Sequence, residues 1–205
     1  MKEWLLAYSA VPAILAGVCA GLLVVIDDRR WALITLGGQY VCVAWLCALS
    51  LTLPVASAKL LAGWMSTLVF VITLRRAGWP TARPLGEAIP TGIAFRMLAT
   101  LLVTTAALGL GQVNWLSLPQ VQPAAISGGM LLVGLGLLQL GLTEEALRVG
   151  LGLLTTISGF EAVYSALEPS LAIVGLLAAV HIGIALAISY LLASRGKDVQ
   201  LREDA

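Results

Sequence analysis

Hydrophobic residues fill seven stretches of this chain, each about as long as the apolar core of a bilayer requires. A transmembrane helix needs about 20 mostly apolar residues, and charged residues, prolines or polar loops interrupt the chain at that interval. The pattern therefore predicts an all-α integral membrane protein, a bundle of about seven transmembrane helices with no soluble domain. The predicted spans are residues 4–26, 31–53, 55–74, 89–110, 124–142, 150–167 and 171–193.

Composition agrees with a chain surrounded by lipid. Hydrophobic residues make up 60% of the chain and charged residues 11%, and the mean hydropathy is +0.97, whereas soluble domains average about half apolar and a quarter charged residues. The net charge of +1 gives no indication of a nucleic-acid partner. Three cysteines without metal-ligand spacing are interpreted as small buried hydrophobic residues. They are Cys19, Cys42 and Cys47.

Basic residues predict the orientation, because cytoplasmic loops of membrane proteins carry an excess of lysine and arginine. With seven spans, Lys2 and Lys59 fall on one side and nine basic residues on the other. We therefore predict a multi-pass protein of a prokaryotic-type inner or plasma membrane, with its N-terminus outside and its C-terminus in the cytoplasm. The nine are Arg29, Arg30, Arg75, Arg76, Arg83, Arg148, Arg195, Lys197 and Arg202.

The same counting divides the chain into regions. It predicts a four-helix membrane region over 1–110, an extracytoplasmic loop over 111–123, a three-helix membrane unit over 124–195 and a cytoplasmic tail over 196–205.

Several local signals refine the predicted helices. The stretch "TEEALR" at 143–148 predicts a helix start in which Thr143 caps, with Glu144 and Glu145 in a solvated first turn. Gly17 and Gly21 form a G-x-x-x-G pattern that favours a close helix contact. The glycine-rich runs near 134–152 are interpreted as packing surfaces and not as phosphate loops. No catalytic residue, cofactor or metal ligand set is predicted.

The informative residues are polar side chains where lipid is expected. An ionisable group in a span usually faces the bundle interior or a water-filled cavity, and indicates function. Lys59 lies near the outer end of its span, where it is either inward-facing or snorkelling to the interface. Arg96 is predicted about two turns inside the cytoplasmic end, with Thr100 and Thr104 continuing its face. The intramembrane polar set is Gln39, Lys59, Arg96, Gln139, Glu161 and His181.

Glu161 and His181 are the strongest candidates for handling protons. Glu161 is too short to snorkel, and a polar stripe shares its helix face, so this face is predicted to line protein or water. His181 lies near the middle of the seventh span and would titrate near neutral pH if hydrated. The alternative for both is structural, as an ion-pair anchor and a neutral hydrogen-bonded imidazole. The stripe covers the outer half of the sixth span and consists of Ser158, Tyr164, Ser165 and Glu168.

Together these residues form a candidate ion path. Its ionisable members are Glu161, His181, Lys59 and Arg96, and its supporting polar members are Ser158, Tyr164, Ser165, Gln39 and Gln139.

The last three predicted spans resemble a known membrane subunit. A glycine-rich helix, a short basic-flanked turn, a helix carrying Glu161 and a final helix ending "HIGIALAISYLLASRG" look like the K-type small membrane subunit of respiratory complex I. With four further helices in front, the chain resembles component E of hydrogenase-4-type complexes. The resemblance implies a polar proton track and no redox centre within the subunit. The family carries an acidic residue roughly where this chain has His181, and Glu161 lies farther from Arg148 than the family spacing implies.

The leading hypothesis is a non-catalytic transmembrane subunit of a multisubunit energy-converting redox complex that translocates protons or ions. The resemblance implies antiporter-like subunits and quinone- or hydrogenase-module subunits as partners. A stand-alone transporter or channel with a site among Arg96, Glu161 and His181 is one alternative. A purely structural or assembly subunit, whose polar residues hold helices together, is the other.

Overall fold

The computed structural model describes residues 10–76, 92–111, 122–167 and 170–203, and every regular element within these ranges is an α-helix. Six of the helices are long and apolar enough to cross a membrane, and α1 is a shorter apolar helix. The all-α membrane bundle is therefore confirmed. In chain order the helices are α1 (Ala10–Val25), α2 (Arg29–Ser50), α3 (Leu53–Arg76), α4 (Ile93–Gly111), α5 (Pro123–Gly141), α6 (Ala146–Leu167) and α7 (Leu171–Glu203).

Caps and prolines explain several helix boundaries. The Asp28 carboxylate accepts a hydrogen bond of 2.9 Å from the Arg30 amide and so caps α2. Leu51 has extended backbone geometry and ends α2, and α3 starts two residues later, so the predicted break between the second and third spans is present, at residues 51–52. Pro54 and Pro123 both lie in the first turn of a helix, where a missing amide hydrogen costs nothing.

The start of α4 differs from the prediction. The Gly92 carbonyl accepts a hydrogen bond of 3.2 Å from the Arg96 amide, and the helix begins at Ile93. Arg96 therefore lies in the first turn of α4, and the predicted depth of two turns is wrong. The prediction counted the apolar residues on both sides of Gly92 as one span, whereas the helical hydrogen bonds begin at Gly92. The predicted start at Ile89 lies outside the described residues.

Two other boundaries also moved. Helix α6 begins at Ala146, four residues before the predicted span, and the Thr143 hydroxyl accepts a hydrogen bond of 3.3 Å from the Glu145 amide. The two glutamates thus immediately precede the first turn instead of occupying it. Helix α7 continues to Glu203, so most of the predicted tail at 196–205 extends this helix.

The helices form one bundle in which sequence neighbours and distant helices both pack together. Helix α6 packs on α5, α7 and α2, while α3 packs on α2 and α7, and α1 packs on α2 and α5. Helices from the predicted 1–110 region and the predicted 124–195 unit therefore share contacts. Helix α4 lies at the edge against α5 and α1, and Ala107 is the buried residue among its described positions.

Glycines bring α5 and α6 into close contact. A Cβ atom added at Gly159 would lie 2.6 Å from the Gly129 carbonyl oxygen, and one added at Gly136 would lie 2.9 Å from the Gly152 carbonyl oxygen. These distances involve backbone atoms, so neither site has room for a side chain. The prediction that the glycine-rich runs are packing surfaces is thereby confirmed. By contrast, the Cβ that would be added at Gly17 meets the side chain of Leu131 at 3.1 Å.

Two buried apolar clusters fill the bundle. One lies between α1, α2 and α5 and includes Cys42 and Cys47, as expected for small hydrophobic residues, while Cys19 is half-buried. The other, which we call the apolar layer, joins α1, α2, α3, α6 and α7. Its leucine and phenylalanine members are Leu23, Leu33, Leu36, Phe70, Leu74, Leu147, Leu151 and Leu154.

Candidate functional site

Three buried ionisable side chains meet inside the bundle, one each from α3, α6 and α7. Lys59, Glu161 and His181 are 6%, 5% and 2% exposed. The Lys59 Nζ lies 4.0 Å from one Glu161 carboxylate oxygen, and the His181 Nδ1 lies 3.7 Å from the other. We call these three residues the charged cluster, with Glu161 at its centre.

The positions of these residues along their helices place the cluster in one half of the bundle. Lys59 lies six residues after the start of α3, and Glu161 lies six residues before the end of α6. At about 1.5 Å per residue, each is about 9 Å from a helix end. The Lys59 side chain is nonetheless buried, so the snorkelling alternative is wrong. Lys59 instead faces Glu161 across a space bordered by Ala62 and Ala178.

That space is a small cavity. It is lined by the charged cluster together with the two alanines, and about 10 Å³ of it is open to the centre of a water molecule. A buried water needs roughly this volume and two to four polar partners. The cavity therefore has the size and the polarity for one water molecule between Lys59, Glu161 and His181.

The hydrogen bonds of His181 define two arrangements that differ by one proton. Nδ1 lies 3.0 Å from the Leu177 carbonyl oxygen, which accepts, so Nδ1 carries a hydrogen. Nε2 lies 3.4 Å from the Ser158 hydroxyl, which also lies 2.7 Å from the Leu154 carbonyl oxygen. When Ser158 donates to Leu154, it accepts from a protonated Nε2; when it rotates to donate to Nε2, the imidazole is neutral.

Further polar side chains continue from the cluster toward the middle of the bundle. The ring of Tyr40 packs edge-on against His181, with centroids 5.8 Å apart. Gln39 donates a hydrogen bond of 3.3 Å to the Thr155 hydroxyl, and both residues are fully buried. Tyr40 and Thr155 were missed from the sequence. Thr155 precedes Ser158 by three residues on the same helix face, and this spacing is the signal that could have identified it.

The apolar layer separates this polar half from the opposite end of the bundle. On α6, Thr155 and Arg148 are seven residues apart, or about 10 Å, and buried leucines occupy the inward positions between them. On α2, Leu33 and Leu36 lie between Arg29 and Gln39 in the same way. On α2 and α6 the described polar residues therefore form a chain that reaches about halfway and stops at the layer, while on α7 the buried Ser189 follows Ile188 of the layer.

Arginines collect at that opposite end, which we call the basic end. Asp27, in the turn between α1 and α2, pairs with both Arg96 and Arg148. Glu145 pairs with Arg29 at 2.6 Å and with Arg148 at 3.4 Å. These ion pairs connect the α1–α2 turn to the starts of α4 and α6, and they account for the position of Arg96.

The arginines change the titration of Asp27. Burial raises the pKa of Asp27, but hydrogen bonds from Arg96 and Arg148 and their positive charges outweigh burial and hold it below the ordinary value of 3.8. Asp27 is therefore a carboxylate throughout the physiological pH range, and its two ion pairs persist there.

The other predicted site residues lie apart from the charged cluster. Arg96 is at the basic end, and Thr100 donates a hydrogen bond of 2.7 Å to the Arg96 carbonyl oxygen of its own helix. Gln139 is buried two residues before the end of α5, with no hydrogen-bond partner among the described residues. Tyr164 stacks on Phe160 with centroids 5.2 Å apart. The side chain of Ser165, and Glu168, lie outside the described residues.

The fold and the buried ionisable residues define a class, a multi-pass α-helical membrane protein with a charged cluster in its interior. No protein-family model, curated protein or solved structure matches this chain.

Proposed function

We propose that the charged cluster binds and releases a proton, and that the chain is a non-catalytic transmembrane subunit of a multisubunit energy-converting redox complex. The supporting observation is the burial of Lys59, Glu161 and His181 around one cavity. Ionisable groups inside a membrane protein are costly and usually mark ion or proton pathways. Three helices each contribute one ionisable side chain to this cluster, which supports a functional role more strongly than one isolated buried charge would.

The arrangement provides a way to hold the proton. With Lys59 charged, Glu161 ionised and His181 neutral, the cluster has no net charge, so one added proton leaves it singly positive. His181 accepts that proton at Nε2, while Ser158 turns its hydroxyl to the Leu154 carbonyl, and the Glu161 carboxylate lies 3.7 Å from the imidazole to stabilise the charge. Every polar hydrogen of the imidazole then has an acceptor nearby.

The partners follow from the resemblance of the last three helices to the K-type subunit of complex I and of the whole chain to component E of hydrogenase-4-type complexes. Antiporter-like subunits and quinone- or hydrogenase-module subunits are the proposed partners. The collection of arginines at one end of the bundle supports an inner or plasma membrane location with that end in the cytoplasm. This orientation places the N-terminus outside and the charged cluster in the outer half.

The test is Glu161→Gln in the assembled complex, with ions pumped per electron as the measurement. The substitution keeps the shape of the side chain and removes its charge, so pumping per electron should fall when it is measured on the complex that assembles. Glu144→Gln is the matched control, since Glu144 is exposed at the basic end. Unchanged coupling in Glu161→Gln would contradict the proposal. Identification of the chains that co-purify with this one tests the proposed partners directly.

One observation favours a second candidate, a structural role for the cluster. The cavity has room for about one water molecule, and the apolar layer closes the bundle beyond it. On this reading Lys59 and Glu161 hold α3 and α6 in place. Glu161→Leu should then lower the yield of the complex more than its turnover, whereas proton handling predicts the opposite order.

A further inference from the structure

A second feature of the bundle is an open groove on its outer surface between α2 and α3. The groove has a volume of about 470 Å³ and lies at the basic end, at least eight residues along α3 from Lys59 of the charged cluster. It does not depend on the function proposed above. Its lining consists of Arg30, Leu33, Ile34, Thr67, Val71 and Arg75.

The two ends of the groove differ in chemistry. Arg30 lies in the first turn of α2 and Arg75 in the last turn of α3, and because these helices are antiparallel the two guanidinium groups border the same end. About one turn deeper, Ile34, Val71 and the largely buried Leu33 form an apolar wall. From Arg75 to Thr67 the groove follows α3 for eight residues, about 12 Å along the helix axis.

The deeper part of the groove suits a hydrocarbon chain. The Thr67 hydroxyl donates a hydrogen bond of 3.0 Å to the Gly63 carbonyl oxygen of its own helix, so its hydrogen is already used. Ile34 is 64% exposed toward the surroundings of the bundle. An apolar chain lying along this wall would cover that surface.

We infer that this groove binds an anionic phospholipid, with its phosphate between Arg30 and Arg75 and one acyl chain along Leu33, Ile34 and Val71. The charges are complementary, since the lining contains two cations and, among the described residues, no carboxylate. Guanidinium groups form paired, charge-assisted hydrogen bonds with phosphate oxygens. Basic pockets between transmembrane helices at the cytoplasmic side are known sites for anionic lipid headgroups.

The neighbouring residue Arg76 offers a matched control. Arg75 and Arg76 are both exposed in the last turn of α3, but the groove is lined by Arg75 and not by Arg76. Arg75→Gln and Arg76→Gln remove the same charge from the same turn. A difference between them therefore reports the groove and not the general attraction of an anionic lipid to a basic surface.

The experiment is native mass spectrometry of the full chain in detergent micelles, titrated with phosphatidylglycerol or with phosphatidylcholine. Wild type should bind one phosphatidylglycerol in preference to phosphatidylcholine. Arg75→Gln should weaken that binding by about tenfold, the effect of losing one charge-assisted interaction, while Arg76→Gln should leave it within about twofold.

A second variant tests the acyl chain separately. Ile34→Trp fills the apolar wall at an exposed position without changing the charges, and should reduce phosphatidylglycerol binding although both arginines remain. The inference is overturned if Arg75→Gln and Arg76→Gln behave alike, if the two lipids bind equally, or if Ile34→Trp has no effect. It is also overturned if inorganic phosphate displaces the lipid at equal concentration, because the site would then recognise phosphate alone.

Discussion

The pairing of Lys59 with Glu161 makes a quantitative prediction about stability. Lys59→Met or Glu161→Gln alone leaves the other charge buried without its partner, and breaking a buried ion pair in this way costs about 3–5 kcal/mol. Coulomb's law gives the same scale, since two unit charges separated by the observed 4.0 Å interact by about 4 kcal/mol at an effective dielectric constant near 20. Changing both residues removes both charges, so the double variant should be far less destabilised than the sum of the single ones.

The measurement is a double-mutant cycle on the free energy of unfolding in detergent or bicelles at neutral pH. We expect a coupling energy of about 3 kcal/mol, in the upper part of the range for contacting residues. The control cycle combines Lys59→Met with Gln139→Leu, because Gln139 is equally buried but lies near the opposite end of the bundle. These two changes should add to within about 0.5 kcal/mol.

One result would refute the electrostatic reasoning. If Lys59→Met and Glu161→Gln are as additive as the control pair, the two groups do not interact as charges. The cluster would then be a set of neutral side chains packed together, and the proton-binding proposal would lose its basis in the structure.

Two further predictions concern packing and pH. Gly159→Ala places a Cβ 2.6 Å from the Gly129 carbonyl oxygen and should lower the free energy of unfolding by about 1–3 kcal/mol, measured by thermal unfolding. The control, Gly183→Ala, has nothing within 4 Å of the added Cβ and should be neutral or stabilising. Equal losses in the two variants would contradict the close contact of α5 and α6. The pKa of Asp27 is lower in the folded chain than its ordinary value of 3.8. Its ion pairs therefore stabilise the fold fully at pH values above 3.8, and this stabilisation is lost as the pH falls through the pKa of Asp27 in the folded chain. The difference in melting temperature between wild type and Asp27→Asn should therefore shrink from about pH 6 to about pH 3, and a constant difference would count against the ion pairs.

The sequence predicted the helical spans and the depth of Lys59 and Glu161, although not the depth of Arg96. Glu161 and Lys59 were both placed in the same half of the bundle by counting from charged and proline-marked boundaries, and the structure brings them within 4.0 Å. Counting worked here because an apolar run of fixed length has to match the bilayer thickness. The polar stripe containing Ser158 likewise indicated which face of α6 turns inward.

Long-range pairing was beyond the same reasoning. Gln39 and Thr155 are 116 residues apart in the chain, and no local pattern connects them. Arg96 was assigned to the interior because the apolar run before it was counted as helix, whereas its partner is Asp27, 69 residues away in a turn. Such contacts depend on which helices pack together, and this packing cannot be read from a single sequence.

The apolar layer has an electrical consequence. Glu161 lies about 9 Å from the end of α6, roughly a third of a hydrocarbon core of about 30 Å. Moving one charge through the whole membrane potential is worth about 2.3 kcal/mol per 100 mV, so a proton that enters from that end crosses about a third of the voltage, or about 0.7 kcal/mol per 100 mV, by the depth of Glu161, the carboxylate beside the proposed acceptor His181. The remaining drop falls across the leucine and phenylalanine side chains, so the proposed binding of a proton by the cluster would depend on the membrane potential as well as on pH.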